Sequence, residues 1–166
     1  MVDGIDFLEA SFATDSPEAT RDAACSLGTL CRGGEVLLLI GDLGSGKTCF
    51  TQGLARGLDV PADIRVTSPT FTLHAEYPGR LVLNHLDLYR LDEPCQMEGL
   101  GVEDMLGDRD AVAAVEWPEM LADGVGRERL EIRIADTGDN RRSFALTAHG
   151  PRHVELLENW VGERGR

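Results

Sequence analysis

The segment from Glu35 to Thr48 constrains this chain more than any other. It passes from an uninterrupted apolar stretch, Val36-Leu37-Leu38-Leu39-Ile40, into Gly41-Asp42-Leu43-Gly44-Ser45-Gly46-Lys47-Thr48, and residues 47–57 then read as a helix. An apolar run that is continuous rather than alternating predicts a strand buried on both faces, as in a parallel sheet. The loop matches the G-x-x-x-x-G-K-[S/T] pattern in full, in the strand-then-helix context that the pattern requires. Its glycines let successive backbone N–H groups turn inward at a positive helix end, a nest suited to phosphate oxygens. Lys47 supplies a slender, flexible ammonium to the β and γ phosphates, and the Thr48 hydroxyl is placed to ligate Mg²⁺.

Charge narrows the class of nucleotide protein. The 166 residues carry a net charge of −13, with 15 arginines but a single lysine, Lys47 itself. A guanine-reading Asn-Lys-x-Asp motif therefore cannot occur, and ATP is the expected nucleotide. So acidic a chain repels a phosphate backbone, which argues against tight, autonomous binding of DNA, RNA or an anionic membrane surface. No apolar run approaches the ~20 residues of a membrane span, and the start, Met1–Glu9, is acidic where a signal peptide is basic. The expectation is a cytoplasmic protein. Cys25, Cys31, Cys49 and Cys95 form no CxxC pair and have no His at zinc spacing, so they read as reduced, mostly buried thiols.

The remaining pattern predicts one domain over residues 1–166. A strand near Phe7–Phe12 precedes Ser16-Pro17-Glu18, a helix start with cap, first-turn proline and acidic residue. That helix runs to about Cys31 with Ala19, Ala23, Leu27 and Leu30 as its apolar stripe, and Gly33-Gly34 ends it. Val66–Tyr77 reads as extended, and Pro78-Gly79 turns it into a strand over Leu81–Asp87. A helical stretch near Pro94–Leu106 leads to a second apolar strand, Ala111–Val115. Leu130–Ile134 and Ser143–Thr147 alternate around Thr137-Gly138-Asp139-Asn140, a second hairpin. Val154, Leu157 and Val161 mark one face of a last helix, with Trp160 beside them as packing. The fold class is α/β and P-loop NTPase-like: a mainly parallel central sheet flanked by helices, with antiparallel hairpin additions.

A phosphate loop needs a carboxylate from a neighbouring strand to hold Mg²⁺ and its waters. Glu116, directly after Ala111–Val115, and Asp87, after Leu83–Leu86, both fall at strand carboxyl ends, where open α/β sheets bind ligands. Thr70 is either a switch-type hydroxyl for the metal or γ phosphate or a turn residue set by Pro69. His85 shares a strand face with Asp87, as structural histidine or as support for that carboxylate. Trp117 points away from Glu116's face if the strand continues, as core or as a partner anchor. Arg90 is either a charge for the developing phosphate or solvated surface.

The ordered segments Gly41–Thr48, Ser68-Pro69-Thr70-Phe71, His85-Leu86-Asp87-Leu88-Tyr89-Arg90 and Glu116-Trp117-Pro118-Glu119 resemble the signatures of the bacterial TsaE (YjeE) family, over about residues 5 to 145. The resemblance implies an ATP- and Mg²⁺-binding ATPase, weak alone and stimulated in a complex with TsaB and TsaD, that supports threonylcarbamoyladenosine modification of tRNA at position 37. It implies that residues 41–48 bind nucleotide, with catalytic roles for Lys47, Glu116 and Asp87 and metal contacts from Thr48 and Glu116. Ser16, Cys49 and an arginine after the last hairpin turn, assigned to Arg141 ahead of its neighbour Arg142, join the nucleotide side; Cys49 stands where the family often has threonine. A small-molecule kinase and a non-catalytic nucleotide-dependent adaptor are the alternatives that the residues alone leave open.

Overall fold

The computed structural model describes residues 7–91, 99–125 and 128–166. In chain order the elements are β1 (Phe7–Thr14), α1 (Pro17–Leu30), β2 (Val36–Ile40), α2 (Lys47–Gly57), β3 (His74–Tyr77), β4 (Val82–Asp87), α3 (Val102–Gly107), β5 (Ala111–Glu116), a 3₁₀ segment (Pro118–Val125), β6 (Arg129–Gly138), β7 (Arg141–His149) and α4 (Pro151–Arg164). The strands form one sheet in the order β1-β7-β6-β2-β5-β4-β3. Its centre is parallel, β2 pairing with β5 and β6, and β4 with β5. The two hairpins, β3–β4 and β6–β7, and the outer strand β1 pair antiparallel.

The central apolar run has the two-faced burial that its composition requires. Leu37 and Leu39 of β2 join a core with Leu27 of α1, Phe50 and Leu54 of α2 and Trp160 of α4. Val36 and Leu38 join a smaller core on the other face, with Leu86, Val115 and Leu121. A strand alternates faces at every residue, so an apolar side chain is needed at each position when both faces are covered.

Glycine lets α1 and α2 approach closely. A Cβ on Gly28 would lie 2.7 Å from the Leu54 carbonyl oxygen, and Cβ atoms on Gly53 and Gly57 would collide with the Arg21 and Cys25 carbonyl oxygens. This contact sets the start of α1 beside the start of α2, where the Cys49 thiol donates to the Pro17 carbonyl at 3.4 Å. Ser16 caps α1 by accepting the Ala19 N–H at 3.1 Å. Helix α1 has no basic residue in its last turn, and Arg80 reaches in from the β3–β4 turn instead. Its guanidinium donates to the carbonyls of Cys31 (2.9 Å), Gly28 (3.0 Å) and Gly57 (3.4 Å).

Four sequence expectations change in the structure. Of the Val66–Tyr77 stretch only β3 is strand; residues 70–72 form a turn, because Leu73 N–H returns to the Pro69 carbonyl at 2.7 Å. Helix α3 covers only the end of the Pro94–Leu106 stretch, of which residues 94–98, Cys95 included, lie outside the described residues. Helix α1 stops at Leu30, ahead of Gly33-Gly34, which form the turn into β2. On α4, Val161 is 44% exposed, while Trp160 is buried and donates its indole N–H to Ser26 Oγ at 2.8 Å. Among the described residues no helix is long and apolar enough to cross a membrane.

Candidate functional site

The site forms where β2, β4 and β5 end on the same side of the sheet. Gly44 (φ 77°) and Gly46 (φ 112°) adopt backbone that side-chain-bearing residues rarely take, and this bends the loop between β2 and α2. Gly46 is the N-cap of α2 and offers no side-chain cap, so the N–H groups of the first turn face outward at the positive helix end. Lys47 is buried and folds back over its own loop, donating to the carbonyls of Gly41 (2.6 Å) and Asp42 (3.0 Å). Its Nζ also lies 4.4 Å from the centre of the Trp117 ring. Burial holds the Lys47 ammonium below the usual lysine range, and Glu116, Asp87, Asp42 and Glu119 oppose that shift.

Asp87 and Glu116 occupy paired register positions at the ends of β4 and β5. Both are buried, and their oxygens are shared among neighbouring hydroxyls. Ser68 Oγ donates to Asp87 Oδ2 at 2.6 Å and lies 3.3 Å from Glu116 Oε2. Thr70 Oγ1 donates to the same Asp87 oxygen at 3.1 Å, and the Tyr89 N–H bonds to Asp87 Oδ1 at 3.0 Å. Thr48 Oγ1 faces Glu116 Oε1 at 3.5 Å. His85 Nε2 bonds to Glu116 Oε2 at 2.7 Å. The histidine thus supports Glu116, a diagonal neighbour on the adjacent strand, rather than Asp87 on its own.

All of these residues except the wholly buried His85 line one pocket of about 350 Å³. Its walls include Leu43, Gly44, Gly46, Lys47, Thr48, Cys49, Thr70, Asp87 and Glu116, all from the sequence expectation, together with Ser68, Tyr89 and Trp117. Gly41, Asp42 and Ser45 line a separate cleft on the other side of the loop, against β6. Ser16 does not line the pocket, and its hydroxyl is committed to the α1 cap. Burial raises the Cys49 thiol above its ordinary range, with Arg21 and Arg142 opposing the shift.

Arg141, the expected arginine, is exposed, and the structure brings Arg142 to the loop instead. Arg142 donates to the Ser45 carbonyl at 2.8 Å and the Gly44 carbonyl at 3.4 Å, and pairs with Asp136 at 3.0 Å. Strand alternation is the reason. Residue 142 shares the face of Phe144, which packs against Phe50 of α2 at 6.0 Å between ring centroids, whereas residue 141 points the opposite way.

Three further residues escaped sequence reasoning as site components. Ser68 was visible only as part of Ser68-Pro69-Thr70-Phe71, and its bridging position depends on the turn that follows. Trp117 has a positive φ of 55°, so β5 ends at Glu116 and the indole folds over Lys47, not away from the site. Tyr89 packs on Trp117, with ring centroids 4.9 Å apart. Arg90, by contrast, stacks on the exposed Phe71 ring at 4.2 Å.

Beside the Cys49 thiol the pocket presents the carboxylates of Asp87 and Glu116 and the hydroxyls of Thr48, Ser68 and Thr70, next to an ammonium and an uncapped helix start. Such hard oxygen donors fit Mg²⁺, and the loop fits phosphate.

Residues 14–144 match the family model described as threonylcarbamoyl adenosine biosynthesis protein TsaE. The chain belongs to the TsaE family. The TsaE of Bacillus subtilis is 38% identical over 90% of this chain and 92% of its own length, and that of Streptomyces coelicolor is 37% identical over 80% and 92%. The crystal structure of Bacillus subtilis YdiB superposes with a TM-score of 0.79 at 36% identity, covering 95% of this chain and 97% of that one. As a TsaE, the chain takes part in threonylcarbamoyladenosine biosynthesis.

Proposed function

We propose that this TsaE binds ATP with Mg²⁺ and hydrolyses it slowly alone and faster when it acts on a complex of TsaB and TsaD, in support of threonylcarbamoyladenosine formation at tRNA position 37. The observation that carries the reading is the convergence of Lys47, Thr48, Asp87 and Glu116 on one pocket beside the uncapped start of α2. In this reading the N–H groups of residues 44–48 hold the β phosphate, and Lys47 exchanges its loop carbonyls for phosphate oxygens. Thr48 and Glu116 would hold Mg²⁺, which when bound supplies positive charge against the phosphate oxygens. Asp87 fixes the hydroxyls of Ser68 and Thr70 on the γ-phosphate side. The net charge of −13 supports a route to tRNA through protein partners in the cytoplasm and not through contact with the RNA backbone.

The test is ATP turnover by the protein alone and with TsaB and TsaD, for the wild type, Glu116→Ala and Asp87→Ala. Stimulation that both substitutions abolish supports the proposal. A phosphorylated metabolite in place of free phosphate would favour a small-molecule kinase. Full tRNA modification with a hydrolysis-dead variant would favour a non-catalytic adaptor.

A further inference from the structure

We propose that His85 is a positioning residue that aims Glu116 at the metal side of the nucleotide pocket; this rests on the Mg²⁺–ATP reading above. His85 lies in the middle of β4 and is wholly buried. Its register partners on both neighbouring strands are alanines, Ala75 on β3 and Ala114 on β5. Small residues on either side give the imidazole room to lie along the sheet toward the strand ends. There it meets Glu116, two residues beyond Ala114, at 2.7 Å.

The division of hydrogen bonds at Glu116 gives this contact its effect. Ser68 carries one hydroxyl proton, and its 2.6 Å contact directs that proton to Asp87, leaving the 3.3 Å contact to Glu116 secondary. The strong donor to Glu116 Oε2 is therefore His85 Nε2–H. With Oε2 held from behind, Oε1 is the oxygen that faces Thr48. The other ring nitrogen, Nδ1, is buried with no hydrogen-bond partner among the described residues. Partners that orient a metal-binding carboxylate have measurable weight in metal affinity.

The experiment titrates MgCl₂ into the full-length protein with a non-hydrolysable ATP analogue, followed by calorimetry, and repeats the analogue titration in EDTA. Two amide variants separate positioning from packing. His85→Gln puts an N–H close to the imidazole Nε2, and His85→Asn stops one methylene short. The expected result is a Mg²⁺ half-saturation raised about tenfold by His85→Asn and less than about threefold by His85→Gln, with binding in EDTA the same for both. Equal behaviour of the two variants, or a loss in EDTA as large as that with Mg²⁺, would overturn the proposal. A wild type whose binding ignores Mg²⁺ would overturn the parent reading as well, whereas a Mg²⁺-responsive wild type matched by His85→Asn overturns this inference alone. A second measurement needs no variant: the imidazole ¹H–¹⁵N spectrum of the wild type should show an Nε2–H resonance that moves when MgCl₂ is added to the analogue complex. A resonance that does not move also counts against the proposal.

Discussion

Asp87 and Glu116 stand directly opposite one another at the ends of β4 and β5, and the Ser68 hydroxyl spans them, 2.6 Å from one carboxylate and 3.3 Å from the other. Two buried carboxylates at one register position repel unless donors or a cation separate them. Ser68 and Thr70 supply donors to Asp87, His85 supplies one to Glu116, and Lys47 supplies the nearby positive charge.

Ser68→Ala should therefore impair the site while leaving the fold intact. Loss of a hydrogen bond to a charged group costs about 1.5–3 kcal/mol, which corresponds to roughly 10- to 100-fold in partner-stimulated ATP turnover. Ser68 lies outside both apolar cores, so its thermal unfolding midpoint should stay close to that of the wild type. Steady-state phosphate release beside a melting curve tests both halves. Unchanged turnover would remove Ser68 from the site.

The outcome for Ser68 illustrates what the sequence could and could not disclose. Strand β2, the phosphate loop, α2 and the strand-end positions of Asp87 and Glu116 were legible because each rests on a local pattern: an unbroken apolar run, glycine spacing, or a carboxylate after an apolar strand. Both hairpins were legible from their turn residues. The bridging role of Ser68, the diagonal reach of His85 to Glu116 and the fold-back of Trp117 depend on register between strands and on one positive φ, which no local pattern encodes. The choice between Arg141 and Arg142 turned on which face of β7 meets α2, settled by Phe144 packing on Phe50.

Arg142 clips the phosphate loop to the β6–β7 hairpin through the carbonyls of Ser45 and Gly44. Arg142→Ala should free the loop and weaken ATP-analogue binding by about 3- to 10-fold, the range expected for loss of one or two ordinary hydrogen bonds. Arg141→Ala should bind as the wild type does. Calorimetric titration of both variants decides it, and the reverse ranking would restore Arg141 as the residue of interest.

Arg80 ties the ends of α1 and α2 together through three carbonyls. Arg80→Ala leaves those carbonyls without their charged donor and should lower stability by about 2 kcal/mol, or about 4–8 °C in the unfolding midpoint of a chain this long. Arg80→Lys should recover only part of the loss, because one ammonium cannot match the fork of a guanidinium. Circular dichroism melts of both variants provide the check. A lysine variant as stable as the wild type would show that charge alone suffices.

His153 should make stability depend on pH. It is fully buried at the start of α4, and its Nε2 accepts the Val36 N–H at 3.0 Å, so the imidazole must be neutral there. Burial, reinforced by Arg152, His149 and Arg129, pushes its pKa from the ordinary 6.5 down to about 4. Between these values the unfolded chain binds a proton that the folded chain refuses, so stability falls as pH is lowered through that window. The contribution is fully present above about pH 6.5 and lost by about pH 4, with a ceiling of about 3 kcal/mol. Urea unfolding of the wild type and His153→Gln at intervals from about pH 4.5 to 7.5 isolates this term, because the carboxylates titrate alike in both proteins. The wild-type curve should fall more steeply toward acid than that of His153→Gln. Parallel curves would mean that His153 is protonated without cost in the folded state and that the Val36 N–H has another partner.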